Sequence, residues 1–204
     1  MTGLQLRRIL FPFLIFAILI WFPFSGNGQS NLTPVILESA ALTIVGSTNV
    51  NKFTCELFKH HLNDTLKYVS GTTDEAAIFN GLVLKFNVSD FACTNNMMTK
   101  DFKELLKEDA FPYILMNINE VTVHTTSEST ESKTVSANIV LHIAGVAKRE
   151  YIDEAHIKSS DQGLRLSGSH NFLMSTFKIE PPTKLFGTIR TEDAIEILFS
   201  IGLK

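Results

Sequence analysis

Almost every periodic stretch of this chain alternates apolar and polar residues with period two. Leu42 and Ile44 oppose Thr43 and Val45, and Phe53, Cys55 and Leu57 oppose Lys52, Thr54 and Glu56. The same spacing recurs in Leu82, Leu84, Phe86 and Val88, in Ile114, Met116 and Ile118, and in Ile139, Leu141 and Ile143. It returns in Leu164 and Leu166, running on through Phe172 and Met174, and in Ile195, Ile197, Phe199 and Ile201. Successive side chains of a strand point to opposite faces, so each stretch predicts a strand with one apolar face. Strands of this kind close most simply around a shared apolar interior. A container or carrier is therefore expected before an enzyme.

One short stretch has helical spacing. From Thr99 to Lys107, Phe102, Leu105 and Leu106 form an apolar stripe, with Thr99 as the expected cap and Asp101 and Glu104 near the positive end. Pro112 prevents continuation. So short a helix is marginal alone and must pack on the sheet, across one barrel end. Gly46-Ser47-Thr48-Asn49 reads as a turn, and the Ser-, Thr- and Glu-rich segment His124–Thr134 as an exposed hairpin loop.

The N-terminus reads as an export signal. Arg7 and Arg8 precede an uncharged apolar run from Ile9 to Phe24, and Ser25-Gly26-Asn27-Gly28 follows, suiting cleavage before Gln29. An uncleaved anchor is the alternative. The run's 16 residues fall short of the roughly 20 needed to span a bilayer, and Pro12 and Pro23 shorten any straight helix further. The expected organisation is a signal peptide over residues 1–28 and a single domain over 29–204, periplasmic or secreted, with no membrane span after cleavage. Without Arg7 and Arg8, 16 basic residues face 21 acidic ones, a net charge of −5. That balance argues against nucleic acid, and against an anionic membrane surface, as the main partner.

Cys55 and Cys93 are the two cysteines, and an even count in an exported chain favours a disulfide worth roughly 3–4 kcal/mol. Two buried free thiols are the alternative, and the spacing is far from a C-x-x-C redox motif. Catalytic signals are thin. His60, His61, His124, His142, His156 and His170 show no metal-ligand spacing, so no metal site and no cofactor are expected. His60 and His61 diverge on a strand and read as surface, whereas His142 and His170 occupy polar-looking strand positions. No G-x-S-x-G elbow or phosphate-binding glycine loop occurs, and Glu192-Asp193 reads as a solvated turn rather than an acid/base pair. The chain is not expected to be an enzyme. Sequons at Asn31, Asn63 and Asn87 matter only in a eukaryotic secretory pathway, and Asn87 lies inside an expected strand.

Four segments, in order, carry a family resemblance. They are Leu42-Thr43-Ile44-Val45-Gly46-Ser47-Thr48-Asn49-Val50 followed by Phe53-Thr54-Cys55, and Met98-Thr99-Lys100-Asp101-Phe102-Lys103-Glu104-Leu105-Leu106 leading to Phe111-Pro112-Tyr113-Ile114. Next come Leu141-His142-Ile143-Ala144-Gly145-Val146-Ala147-Lys148, where the pattern is roughly L-x-I-x-G-V-T-K, and Met174-Ser175-Thr176-Phe177-Lys178-Ile179-Glu180-Pro181-Pro182 continuing to Phe186-Gly187. Together they resemble the YceI-like family over about residues 38–203. Ala147 departs from the family's usual Thr, and the cysteine pair belongs to a subset of members.

The resemblance implies an all-β fold: an extended, antiparallel, eight-stranded, lipocalin-like barrel with its helix near one end. It also implies an exported protein, some of whose relatives hold a long isoprenoid or fatty amphiphile in an internal tunnel. The expected lining is Leu82, Leu84, Phe86, Phe102, Leu106, Ile114, Met116, Ile139, Leu141, Ile143, Phe172, Met174 and Phe199. Phe102 and Leu106 would close one end. The expected partner is thus a long-chain lipid or isoprenoid, and the pattern leaves room for a homodimer. The same residues equally fill a barrel core with no ligand, which makes the alternative a ligand-free interaction or stress-response module.

Overall fold

The computed structural model describes residues 32–72, 76–124, 132–161 and 163–204. The expected signal peptide and most of the expected loop at 124–134 lie outside these residues. Ten strands and one helix follow in chain order: β1 (Leu32–Thr48), β2 (Lys52–Thr72), β3 (Ala76–Asn87), β4 (Ala92–Cys93), α1 (Asn96–Leu105), β5 (Tyr113–His124), β6 (Ser132–Ile143), β7 (Val146–Ser160), β8 (Gly163–Leu173), β9 (Thr183–Lys184) and β10 (Ile189–Leu203). The eight long strands pair antiparallel in the order β1-β10-β8-β7-β6-β5-β3-β2, and β1 pairs back onto β2. Each long strand lies beside its neighbours in the chain, so the sheet curls into the expected lipocalin-like barrel with one short helix.

Local chemistry explains the sharpest of the turns. β6 and β7 are joined by two residues, Ala144 (φ 49) and Gly145 (φ 81), with Ile143 paired to Val146. Two positive φ values in succession are the signature of a type I′ turn, whose twist matches the flanking strands. Gly145 is needed twice over, because the ring of Phe111 lies where a β-carbon would stand, 2.4 Å away at Cζ.

The ring of strands is uneven. The β2–β3 ladder covers only Val69–Thr72 against Ala77–Asn80, and the β7–β8 ladder only Ala155–Ser160 against Gly163–Gly168. Toward the other end two seams open. The seam between β2 and β3 is covered by a 3-10 turn (Val88–Asp90), by β4, which pairs with β2 at Cys55–Cys93 and Glu56–Ala92, and by α1. A second 3-10 turn (Met174–Phe177) packs against β7, β8 and β10 at the other seam. There His170 and Glu150, each mostly buried, meet at 3.1 Å.

The closed end is solidly packed. Leu37, Ala40, Leu57, Leu82, Leu84, Ile118, Val135, Ile139, Ile152, Ala155, Phe199 and Ile201 are all buried there. Burying a Leu, Ile or Phe side chain stabilises the fold by about 1.5–3 kcal/mol, so this layer anchors the barrel.

Several local expectations are corrected. α1 begins at Asn96 rather than Thr99, because Asn95 caps it by accepting a hydrogen bond from the Met98 backbone N–H (2.9 Å). Thr99 instead accepts from the Cys93 N–H (2.9 Å) and donates to the Asn95 carbonyl, fastening the helix to β4. The helix ends at Leu105 because Lys107 turns left-handed (φ 56), before Pro112 is reached. Glu192 and Asp193 lie inside β10, not in a turn, and Asp193 accepts from the Ser175 N–H (2.8 Å). Met174 opens the second 3-10 turn rather than extending β8. β1 runs through Gly46–Thr48, so the turn falls at Asn49-Val50-Asn51.

Candidate functional site

At the open end the apolar faces do not meet. They surround a cavity of about 480 Å³ between the packed barrel layer, α1 and the segment that carries β9. Its wall begins with strand residues one rung above the packed layer. Phe86, Ile114, Met116, Leu141 and Ile143 supply one side, and Leu42, Ile44, Phe53, Cys55, Ile195 and Ile197 the other. Phe172 and Met174 complete the wall at the β7–β8 seam, where Phe172 stacks edge-on against Phe177 with ring centres 5.2 Å apart.

The roof is α1. Its stripe, Phe102, Leu105 and Leu106, faces inward, and Phe102 rests on the buried ring of Phe91 at 5.4 Å between centres. Phe91 is fixed by the 3-10 turn, whose Val88 carbonyl accepts its N–H. The disulfide Cys55–Cys93 ties the same wall to β2. At the rim, Lys184 Nζ on β9 meets Asp101 on α1 at 2.9 Å, linking the hairpin between β9 and β10 to the helix.

Nine of the thirteen residues expected to line a tunnel border this cavity: Phe86, Phe102, Leu106, Ile114, Met116, Leu141, Ile143, Phe172 and Met174. Leu82, Leu84, Ile139 and Phe199 are buried in the packed layer below it and are absent from the lining. The hollow is thus a chamber at one end. Alternation points eleven of the thirteen inward and the helical stripe the other two, Phe102 and Leu106, but neither pattern says where the inner face is filled.

Other lining residues were not singled out from the sequence as ligand contacts. Leu42, Ile44, Phe53, Ile195 and Ile197 belong to strands whose alternation was plain, so their signal was there to use. Phe91, Ile179, Leu185 and Ile189 sit in irregular segments or short pairings, where no period marks an inner face, and Met97 lies in the first turn of α1, ahead of the helix start expected at Thr99.

The polar candidates fall elsewhere. His142 is half-buried, 3.3 Å from the Asn117 side chain, and His124 lies 3.0 Å from the buried Ser136 hydroxyl. His170 shares the face of Phe172 and pairs with Glu150 at the seam, so it is not an open surface position. His156 is exposed near Glu154. The side chains of His60 and His61, like Asn63 and Asn31, lie outside the described ones. Among the described residues, no group of three or more His, Cys, Asp or Glu is placed to hold a metal ion. A groove of about 670 Å³ along the outer face of α1 is lined by Lys100, Lys103, Lys107, Glu104 and Glu108. It mixes both charges on the surface and offers no apolar enclosure.

No family model matches the chain, and no curated protein matches it in sequence. Similarity appears among solved structures. BcnA of Burkholderia cenocepacia is similar at a TM-score of 0.50 and 12% identity, over 81% of this chain and 96% of that one. The chain has the fold of BcnA. The Campylobacter jejuni YCEI protein is similar at a TM-score of 0.46 and 17% identity, over 67% of this chain and 80% of its own. At these identities the likeness to BcnA is one of fold. It leaves the occupant of the cavity to the chemistry of its walls.

Proposed function

We propose that this protein is an exported carrier that sequesters a long-chain amphiphile, of the fatty or isoprenoid kind, in the end chamber of its barrel. The observation that carries this reading is the chamber itself. Its volume of about 480 Å³ falls within the range of roughly 300–1,000 Å³ typical of small-molecule sites. Its walls are almost wholly aliphatic and aromatic, while Asn51, Asn95, Asp101 and Lys184 contribute polar groups toward the rim. An apolar chain gains about 0.8 kcal/mol for each CH₂ it buries, and a polar head can stay at the rim in water. Met97, Met98, Met116 and Met174 suit this role because thioether side chains adapt to varied chain shapes.

Solvent extraction and native mass spectrometry of protein purified from its own host test the proposal. A stoichiometric amphiphile is expected. Met116→Trp, which fills the chamber with a larger apolar group, should lower its occupancy, whereas Lys85→Glu should not. Lys85 is exposed and its ammonium lies 3.5 Å from the centre of the Tyr113 ring, outside the chamber. Protein that carries no amphiphile, or loses it equally in both variants, would sink the carrier reading.

A further inference from the structure

The chamber carries little charge, and what it has is paired internally. Among the described residues that line it, Asp101 and Lys184 are the only two with charged side chains, and the Lys184 Nζ lies 2.9 Å from the Asp101 carboxylate. The neighbouring cations are engaged elsewhere. Arg190 Nε donates to the Gly187 carbonyl, Lys103 Nζ donates to the Ser89 carbonyl, and Lys100 pairs with Glu104 on the outer face of α1. Lys52 precedes the lining residue Phe53 on β2, and strand alternation sends its side chain to the opposite face.

The uncharged polar groups of the lining favour an acceptor. The Asn95 side-chain oxygen is committed to the Met98 N–H and the Asn51 side-chain oxygen to the Thr48 hydroxyl, both at 2.9 Å. Each amide keeps its NH₂ group as a donor. The Thr48 hydroxyl is used within its own turn, where it also accepts from the Val50 and Asn51 N–H groups. Thr191 adds a further hydroxyl. A polar head at this rim therefore meets neutral donors and an ion pair that is already closed.

Charge then decides which heads fit. The Asp101 side chain is only 33% exposed, so a head beside it loses part of its water. Taking an unpaired charge out of water is costly, whereas a hydroxyl or carbonyl that finds a donor loses little. An anionic head would be repelled by the Asp101 carboxylate, which also withdraws Lys184 from use, and a cationic head meets the mirror problem in Lys184. We propose that the Asp101–Lys184 pair makes the chamber selective for amphiphiles with an uncharged, acceptor-bearing head, such as an alcohol, ester or ketone, and that Asp101 is the residue that rejects anionic heads. This rests on the carrier reading and narrows it by head group.

The test keeps the apolar chain constant and changes the head. Dodecanol, dodecanoate and dodecylammonium, below their micellar concentrations and at about pH 8, where both ions are charged, are titrated calorimetrically into protein freed of resident lipid on an apolar resin. Burial of the common chain cancels in the affinity ratios. Dodecanol should bind best, with each ion about tenfold weaker. Asp101→Asn frees Lys184 and should raise the dodecanoate-to-dodecanol ratio about fivefold, the upper range for a half-exposed charge pair. Lys184→Gln should do the same for dodecylammonium. Glu104→Gln removes an equal charge from the outer face of α1, freeing Lys100, and should leave the ratios where they are. Equal affinity for the three heads, ratios unmoved by Asp101→Asn, or ratios moved as far by Glu104→Gln would overturn the inference and leave the carrier reading standing. Protein that takes up none of the three would overturn the carrier reading, and the inference with it.

Discussion

Reducing the Cys55–Cys93 disulfide should cost this barrel much of its stability, and the size of the loss follows from chain entropy. The bridge closes a loop across a sequence separation of 38. In the entropic model such a link removes about 13 cal/mol/K from the unfolded chain, or about 3.9 kcal/mol at 25 °C. Reduction is a cleaner perturbation than truncation. Cys55 is only 1% exposed, and Cys55→Ala would add a cavity cost of about 1 kcal/mol for a methyl-sized loss. Urea unfolding followed by far-UV circular dichroism, with and without a phosphine reductant, gives the difference. With a slope near 2 kcal/mol/M, the midpoint should fall by about 2 M. An amphiphile held in the chamber should also leave the reduced protein faster, because β4 is then held to β2 only by its two-residue ladder and by the bonds between Thr94 and Thr54. Coincident midpoints in the two conditions, or two titratable thiols in the unreduced, unfolded protein, would refute the reasoning.

Gly145→Ala should destabilise the fold by about 1–2 kcal/mol for the left-handed backbone alone. Displacement of the Phe111 ring adds to this, so Phe111→Ala should recover part of the loss in a thermal melt. Asn95→Ala should cost about 1 kcal/mol through the lost cap of α1, while Asn95→Asp should cost far less, as read from denaturation midpoints. The Lys184–Asp101 pair is partly exposed, so Lys184→Ala and Asp101→Ala should each shift stability by less than about 1 kcal/mol. A double-mutant cycle on ligand release should nevertheless show coupling, because the pair spans the rim.

The barrel was legible because a period of two needs no long-range information. Leu84 and Phe86, or Ile139 and Leu141, announce an inner face from four or five residues of sequence. The division of that face was not legible. Leu84 is packed and Phe86 borders the chamber, yet both obey one alternation, because the difference lies in where ladders stop. The β2–β3 and β7–β8 seams leave no mark in either strand alone. The start of α1 was misplaced for a local reason. Asn95 and Thr99 are both competent caps, and the choice depended on Cys93, whose N–H takes the Thr99 hydroxyl. Glu192-Asp193 looked like a turn because charged pairs usually are, but Asp193 serves the Ser175 end of the second 3-10 turn.

The two seams also set how the molecule yields. Around the closed end, girth is fixed by backbone ladders that cannot lengthen without breaking. Around the chamber, two of the eight joints lack ladders and are bridged by short turns, by ring contacts and a His–Glu contact that can shift by an ångström and re-form, and by one disulfide that stays closed while its flanking turns flex. Compliance is therefore confined to one end. Amide exchange should be quicker along Lys52–Thr54 and Ser169–Leu173 than along the ladders at the closed end. A guest thicker than the resting chamber would be admitted by spreading these joints, while strand register at the closed end stays as it was.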